Sequence, residues 1–195
     1  TELMLEENNL NERKEYFSIV KRNSDGLLNI INDLLDMSKI EAGMLNYQIA
    51  GTDLNLLCKE VVNDLSSTTQ NDVKLLFKPE KDSFIINTDK QRLRQVIVNL
   101  VSNACKFTTE GEITISYKQL STDCLEIRVT DTGIGIATEN IPKLFNRFTK
   151  LNSNAKGTGL GLVICKSIIE HLGGEIGIES ELGKGSSFWF THPIS

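Results

Sequence analysis

The sequence has few residues that could hold a metal ion or form disulfide bonds. It contains two histidines, His171 and His192, and four cysteines, no two of which form a CxxC pair. Those cysteines, which lie within apolar patterns, are Cys58, Cys105, Cys124 and Cys165. Free thiols buried in a reducing compartment explain them better than zinc ligands or disulfides do.

Long apolar runs, a signal sequence and an excess of basic residues are also missing. No stretch of about 18 apolar residues could span a bilayer, and the N-terminus has no basic region followed by an apolar segment. The net charge of −5 disfavours nonspecific binding to nucleic acids. With 39% hydrophobic and 24% charged residues, the composition is that of a soluble globular protein, which we expect in the cytoplasm.

The absence of proline before Pro79 leaves room for a long N-terminal helix, predicted over residues 11–42. Residues spaced by three and four form a heptad seam along it: Phe17, Val20, Ser24, Leu27, Ile31, Leu34 and Ser38. At about 1.5 Å per residue the helix would measure close to 50 Å. This length favours a bundle with other helices, and the alternative is an amphipathic helix folded back onto its own domain.

From Asn46 onwards the pattern changes to alternating strands and helices. It predicts an α/β domain over residues 46–195, with a mixed β-sheet covered on one face by helices, after a partial bundle domain over residues 1–45. We expect strands at 47–50, 73–78, 84–87, 112–118, 124–130, 175–180 and 186–191. The expected helices are 54–67, capped by Thr52 or Asp53, then 89–107, 139–144 and 159–172. Residues 151–158 are predicted to form a mobile loop.

The predicted helix 89–107 has one apolar face and one polar face. Thr88 and Gln91 match a capping box at its start. Its polar stripe consists of Gln95, Asn99, Asn103 and Lys106. Asn oxygens suit Mg²⁺ and a lysine suits phosphate, although such a stripe is also typical of the solvated side of a helix.

Two glycine-rich segments follow further along the chain. Asp131-x-Gly133-x-Gly135 comes after an apolar strand, where a carboxylate can accept a hydrogen bond while the backbone approaches a flat ligand. Gly157-x-Gly159-x-Gly161 leads into a helix, whose first N–H groups can bind an anion. This second segment lacks the preceding strand and the glycine spacing of a dinucleotide-binding fingerprint, and Gly183-Lys184-Gly185-Ser186 further along lacks the upstream glycine and the following helix of a Walker loop. Each segment alone could also be an ordinary turn.

The order of these motifs resembles the N, G1, F and G2 boxes of sensor histidine kinases. The matching residues are Asn99-xxx-Asn103-Ala104-x-Lys106-Phe107, Asp131-x-Gly133-x-Gly135, Phe145-xx-Phe148 and Gly157-x-Gly159-x-Gly161. Gly183-Lys184-Gly185-Ser186-Ser187-Phe188 is similar to the last glycine-rich stretch of that family. Residues 33–43 are similar to the end of its dimerisation hairpin.

The resemblance implies the ATP-binding fold shared with gyrase, Hsp90 and MutL. In that fold Asp131 would accept from the adenine amino group, Asn103 would coordinate Mg²⁺ with support from Asn99, and Lys106 would reach phosphate. The implied lining of the nucleotide also includes Phe107, Gly133, Gly135, Ile136 and Ser187. The amides of Gly157, Thr158, Gly159, Leu160, Gly161 and Leu162 would surround the phosphates. Lys150 would reach the γ-phosphate, with Arg147 as a substitute.

The residue at position 99 bears on the reaction. ATPases of this superfamily have a glutamate where this chain has Asn99, and an amide cannot act as general base towards water. Asn99 therefore favours retention of ATP for transfer to another nucleophile. The family's nucleophile is a histidine, but neither His171 nor His192 has the family's acceptor motif around it, so we expect the acceptor upstream of Thr1 and no autophosphorylation by this chain.

The resemblance also implies partners. They are a response-regulator receiver domain and a second copy of the protein, joined through the helical hairpin, in a cytoplasmic protein or the cytoplasmic part of a membrane-anchored sensor. Two alternatives stay open. One is another kinase or ATPase of the same superfamily, which Asn99 and the leading heptad helix disfavour. The other is a nucleotide-responsive dimerisation module without kinase activity.

Overall fold

The computed structural model describes residues 10–67, 69, 72–149 and 158–195. Its helices are α1 (Leu10–Glu41), α2 (Leu54–Ser66), α3 (Lys90–Phe107) and α4 (Gly161–His171), with a 3-10 helix at Thr138–Lys143. The strands are β1 (Ala50–Asp53), β2 (Val73–Lys78), β3 (Ile85–Thr88), β4 (Gly111–Gln119), β5 (Cys124–Asp131), β6 (Ile176–Glu181) and β7 (Gly185–Pro193). Most of the predicted loop 151–158 lies outside the described residues, as Thr158 alone is described.

The sequence predicts a mixed sheet, and the structure confirms it: five strands pair in the order β2-β4-β5-β7-β6. The β2–β4 pair is parallel, and the other neighbours are antiparallel. Strands β1 and β3 form a separate antiparallel pair. Alternate side chains of the sheet point towards α2, α3 and α4 and are fully buried there, among them Ile113, Ile115, Leu125, Ile127 and Phe190.

Helix α3 lies at the centre of this core. One face of it is buried, with Leu93, Val96, Ile97, Leu100 and Val101 at zero exposure. At about 1.5–3 kcal/mol per buried large apolar side chain, this face fixes the rotation of the helix. Its polar face is thereby turned away from the core.

The start of α3 corrects the predicted capping box. Asp89, not Thr88, is the N-cap, and its Oδ1 accepts from the backbone N–H groups of Gln91 at 2.9 Å and Arg92 at 3.0 Å. Thr88 ends strand β3 instead. The Asp89 carboxylate is a better cap than the Thr88 hydroxyl because its negative charge also interacts favourably with the positive end of the helix dipole.

The first strand is also displaced from its predicted position at 47–50. Strand β1 covers Ala50–Asp53, where its backbone pairs with β3. Tyr47 instead stacks on His171 with ring centroids 3.9 Å apart, and the Gln48 N–H bonds to Asp89 Oδ2 at 2.8 Å. The side-chain contacts of the linker therefore override its strand-like pattern.

Helix α1 follows the fold-back alternative over its C-terminal third only. This third packs on the α/β domain, where Met37 is buried and Ile40 lies against the core. The heptad seam itself is open to solvent, with Phe17 at 59%, Leu27 at 58% and Leu34 at 49% exposure, so the bundle stays a prediction. None of the described helices is long and apolar enough to cross a membrane.

Polar contacts anchor the docked third of α1. Asp36 accepts from Arg92 at 3.0 Å and from Gln95 at 2.6 Å, and all three side chains are partly buried. Glu41 pairs with Arg147 at the end of the helix. Gln95 therefore belongs to the contact between α1 and α3, although the sequence pattern groups it with Asn99.

We expect the exposed seam to drive self-association through α1. Burying side chains such as Leu27 and Ile31 against a second helix removes apolar area from water, at about 25 cal/mol per Å². Light scattering at micromolar concentration should report more than a monomer, and Leu27→Glu with Ile31→Glu should lower the mass. Leu120→Glu, an exposed position on the β4–β5 turn, is the control. A monomeric wild-type chain would contradict the expectation.

His192 links the two sheets from a buried position. Its Nε2 lies 2.9 Å from Thr88 Oγ1, so that β7 is joined to β3. Desolvation lowers the pKa of His192, because a buried imidazolium loses its hydration. The folded chain therefore holds the neutral form at a pH where the unfolded chain is already protonated.

This lowered pKa predicts a stability loss in acid. The stabilising contribution of neutral His192 is fully present above the pKa of histidine in the unfolded chain, near 6.5. It is lost progressively as the pH falls towards the lower pKa that His192 has in the folded chain. Urea unfolding at about pH 7.5 and about pH 5 should show wild type losing more free energy of unfolding than His192→Gln, which does not titrate. The contributions of the other titrating groups to the free energy of unfolding are the same in both proteins, so they cancel in this comparison. Equal pH dependence in the two proteins would refute the assignment.

Candidate functional site

The polar face of α3 brings three of the predicted side chains together. Asn99 and Asn103 are half-buried and Lys106 is exposed. Lys106 Nζ lies 3.4 Å from Asn103 Oδ1, a long contact that leaves both groups able to take other partners. Successive turns of one helix thus place two amides and an ammonium group in a row.

Asn99 joins α3 to the start of α4. Its Nδ2 donates to the carbonyl of Gly161 at 3.1 Å. A Cβ at position 161 would lie 2.7 Å from Asn99 Oδ1, so glycine allows the two elements to approach this closely. The second glycine-rich segment is therefore held on the polar face of α3.

Helix α4 begins without a side-chain N-cap. This differs from α2 and α3, which Asp53 and Asp89 cap. The Leu160 N–H is bonded to Thr158 Oγ1 at 3.1 Å, whereas the first N–H groups of the helix have no partner among the residues that the structure describes. Such a helix start is suited to bind an anion. The Leu160 side chain itself is buried in the core.

Asp131 ends strand β5 in a buried position. Its Oδ1 accepts from the N–H groups of Gly133 at 2.9 Å and Ser186 at 3.3 Å. Among the described residues Oδ2 has no donor, so it can accept from a ligand. Burial raises the pKa of Asp131, and the two N–H groups oppose that rise because they stabilise the charged form.

The turn after β5 packs against the end of α3 and against the β6–β7 turn. A Cβ at Gly133 would lie 2.4 Å from the Phe107 carbonyl oxygen, and one at Gly135 would lie 2.0 Å from that of Glu181. Gly135 also has a φ of +65°, which favours glycine. The Ile136 N–H donates to Ser180 Oγ at 2.8 Å. Close backbone contacts therefore position Asp131.

Ser187 does not lie on the face of Asp131. Its hydroxyl is 2.9 Å from Thr130 Oγ1 on the opposite face of the sheet. Ser186 pairs directly with Asp131 in the β5–β7 register and shares its face, because side chains alternate along a strand. The serine of β7 that shares the face of Asp131 is therefore Ser186 and not the predicted Ser187.

Asp33 of α1 brings a negative charge to this site. The Thr158 hydroxyl donates to Asp33 Oδ2 at 2.8 Å. Burial raises the pKa of Asp33, and the Thr158 bond and Lys106 lower it. Desolvation lowers the pKa of Lys106 even though the residue as a whole is exposed, and the charge of Asp33 opposes that effect.

Two predicted residues, Lys150 and Gly157, lie outside the described part of the chain. Arg147, the expected substitute for Lys150, is paired with Glu41. Phe107 is exposed at the end of α3, and Leu162 is partly buried against the core.

Comparison with known proteins adds two family matches. The pattern described as "Histidine kinase-, DNA gyrase B-, and HSP90-like ATPase" matches residues 88–195. The pattern of the "His Kinase A (phospho-acceptor) domain" matches residues 1–43. The chain belongs to the first of these families. It is a histidine kinase catalytic domain preceded by part of a phospho-acceptor domain, which confirms the resemblance seen in the motifs.

Individual histidine kinases support this assignment. The sensor protein GacS of Pseudomonas syringae pv. syringae is 38% identical over 96% of the chain, which spans 22% of GacS. Full-length ShkA in complex with AMPPNP superposes with a TM-score of 0.83 at 28% identity, over 94% of this chain and 39% of ShkA. ThkA in complex with the response regulator TrrA has a TM-score of 0.73 at 25% identity, over 97% of this chain and 53% of that one.

The motif analysis missed Ser186, Asp33 and Asp36. The alternation of β7 could have revealed the first, since Phe188 and Phe190 face the core and Ser186 must share their side. No sequence signal shows that Asp33 meets Thr158, because this contact depends on where α1 docks.

We expect Gly135→Ala to destabilise the domain. The added Cβ would clash with the Glu181 carbonyl oxygen, and the positive φ would be strained as well, so the loss should be about 1–3 kcal/mol or more. Urea unfolding measures it. Gly183→Ala is the matched control, because Gly183 has a φ of +84° but open space around it. A smaller loss at Gly135 than at Gly183 would disprove the close approach.

Proposed function

We propose that this chain binds ATP with Mg²⁺ and transfers the γ-phosphoryl group to a histidine of the phospho-acceptor domain. The observation that supports the proposal most is the joint arrangement of Asp131, the polar face of α3 and the uncapped start of α4. The reaction would take place in the cytoplasm, where ATP is abundant and the free thiols stay reduced.

Asp131 would recognise the adenine ring. Its Oδ1 is held by two backbone N–H groups, which leaves Oδ2 to accept a hydrogen bond from the exocyclic amine. Gly133, Gly135 and Ile136 would line the ring through their backbone. Ser186 replaces Ser187 in this proposal because it lies on the correct face of the sheet.

The residues present suit a magnesium ion. Within the described part of the chain, Asn103 Oδ1 is engaged only by a long contact with Lys106, and amide oxygens are hard ligands of the kind that Mg²⁺ accepts. Asn99, whose nitrogen is bonded to Gly161, would support Asn103 or its bound water. Held by these residues, Mg²⁺ would supply neutralisation of the charge on the transferred phosphoryl group.

Lys106 and the α4 amides would hold the phosphate chain. Lys106 would supply a positive charge, and the N–H groups from Gly157 to Leu162 would donate hydrogen bonds. Lys150 would act at the γ-phosphate. Catalysis would thus rest on positioning and charge neutralisation, since Asn99 cannot act as general base on water.

The remainder of the kinase is also inferred. The chain spans about a fifth of relatives such as GacS. Because residues 1–43 match a phospho-acceptor domain, we propose a dimer formed through the helical hairpin to which residues 1–45 contribute one helix. A response-regulator receiver domain would accept the phosphoryl group from the histidine. The solved ThkA complex contains such a regulator.

Calorimetric titration tests the nucleotide site. Wild type should bind one ATP, and Asp131→Asn should bind at least about tenfold more weakly, because a hydrogen bond to a charged group is lost. Ser187→Ala, on the opposite face of the same strands, should bind as wild type does. Thermal melting of each variant checks its fold. Undetectable binding by wild type at millimolar ATP would refute the proposal.

Phosphoryl transfer requires a longer protein that includes the upstream helix and its histidine. Radiolabel from γ-labelled ATP should enter that protein but not the 195-residue chain. Asn103→Ala should remove the signal, because the metal ligand is lost, while Glu15→Gln should leave it intact. Labelling of the short chain at the wild-type rate would show that the acceptor has been misplaced.

A further inference from the structure

A carboxylate from α1 lies at the place where the phosphates are expected. Asp33 accepts from the hydroxyl of Thr158 at 2.8 Å, and Thr158 belongs to the glycine-rich segment before α4. The same hydroxyl caps the Leu160 N–H at 3.1 Å. The side chain of Asp33 thus contacts an element that should surround the phosphate chain.

Asp33 also interacts with Lys106 through its charge. Lys106 is the cation that α3 offers to phosphate, and it makes no shorter polar contact among the described residues than the 3.4 Å one to Asn103. One carboxylate therefore bonds directly to one of the groups proposed for phosphate binding, Thr158, and acts on a second, Lys106, at longer range through its charge.

Neighbouring contacts hold Asp33 in this position. Asp36, one turn further along α1, is bonded to Arg92 and Gln95 on α3. Met37 is buried beside it and Glu41 is paired with Arg147. While α1 is docked in this way, the backbone of Asp33 stays beside the expected phosphate region, and its carboxylate remains within reach of Thr158.

We propose that Asp33 determines specificity at this site. While α1 is docked, the Asp33 carboxylate weakens the binding of a nucleoside triphosphate more than that of a nucleoside diphosphate. The inference rests on the proposed nucleotide site. Each added phosphate brings negative charge towards Asp33 and competes with it for Lys106 and Thr158. The adenine end, at Asp131, is recognised by other residues and carries no charge, so its affinity does not depend on Asp33.

The coupling is reciprocal. If docking of α1 weakens ATP binding, then ATP must weaken docking by the same factor. ATP should therefore raise hydrogen exchange in the docked third of α1 more than ADP does, and adenosine should not raise it.

Titration of ATP, ADP and adenosine into the 195-residue chain at fixed magnesium tests the proposal. Asp33→Asn keeps an oxygen for Thr158 and removes the charge. It should raise ATP affinity by about threefold or more, ADP affinity by less and adenosine affinity not at all. Glu15→Gln makes the same charge change on an exposed part of α1 and should alter none of the three.

The outcomes separate this inference from the proposed function. Equal gains for all three ligands, no gain, or weaker ATP binding in Asp33→Asn would each overturn the role of Asp33 while wild type still binds ATP. If the wild-type chain bound neither ATP nor adenosine, that result would instead refute the nucleotide site itself. In the wild-type chain, equal hydrogen exchange of α1 with ATP and with ADP would also contradict the proposed competition.

Discussion

The candidate site depends on the apolar contact between α3 and the sheet. Five fully buried side chains, Leu93, Val96, Ile97, Leu100 and Val101, fix the rotation of the helix. This contact points Asn99, Asn103 and Lys106 away from the core. The end of α3 also receives the turn after β5, where Gly133 lies against the Phe107 carbonyl group. A repacking of this one helix would therefore displace both the adenine and the phosphate side of the site.

Glycines allow the remaining elements to reach α3. Gly161 lets the start of α4 approach Asn99, and Gly135 lets the turn after β5 approach the carbonyl of Glu181. Helix α1 is attached differently, through polar groups such as Asp33 and Asp36 around a few apolar contacts. Polar, partly buried contacts are weaker and more sensitive to charge than a packed core. The attachment of α1 can thus respond to a bound nucleotide while the α/β domain keeps its structure.

Much of the fold could be predicted because local signals and tertiary contacts agree. The two faces of α3, the β4–β5 hairpin and the long α1 follow from periodicity alone. Predictions failed where several side chains could make the same local contact. The N-cap of α3 is Asp89 and not Thr88, and Tyr47 stacks on His171 in place of joining the first strand. The residues of the site could be named from motif order, but motif order does not show which face of β7 a serine occupies. The docking of α1 joins residues far apart in sequence and leaves no local pattern.

The contact of Asn99 with Gly161 holds the start of α4 against α3, and we propose that this contact positions the groups that bind phosphate. Calorimetric titration of Gly161→Ala with ATP and with adenosine tests it most directly. The added Cβ would lie 2.7 Å from Asn99 Oδ1, so either the Asn99 amide or the start of α4 must shift and their present contact is lost. We predict that ATP affinity falls to roughly that of adenosine, since only phosphate contacts are lost, while adenosine affinity and the melting temperature stay close to wild type. Unchanged ATP affinity, or an equal loss for both ligands, would contradict the claim.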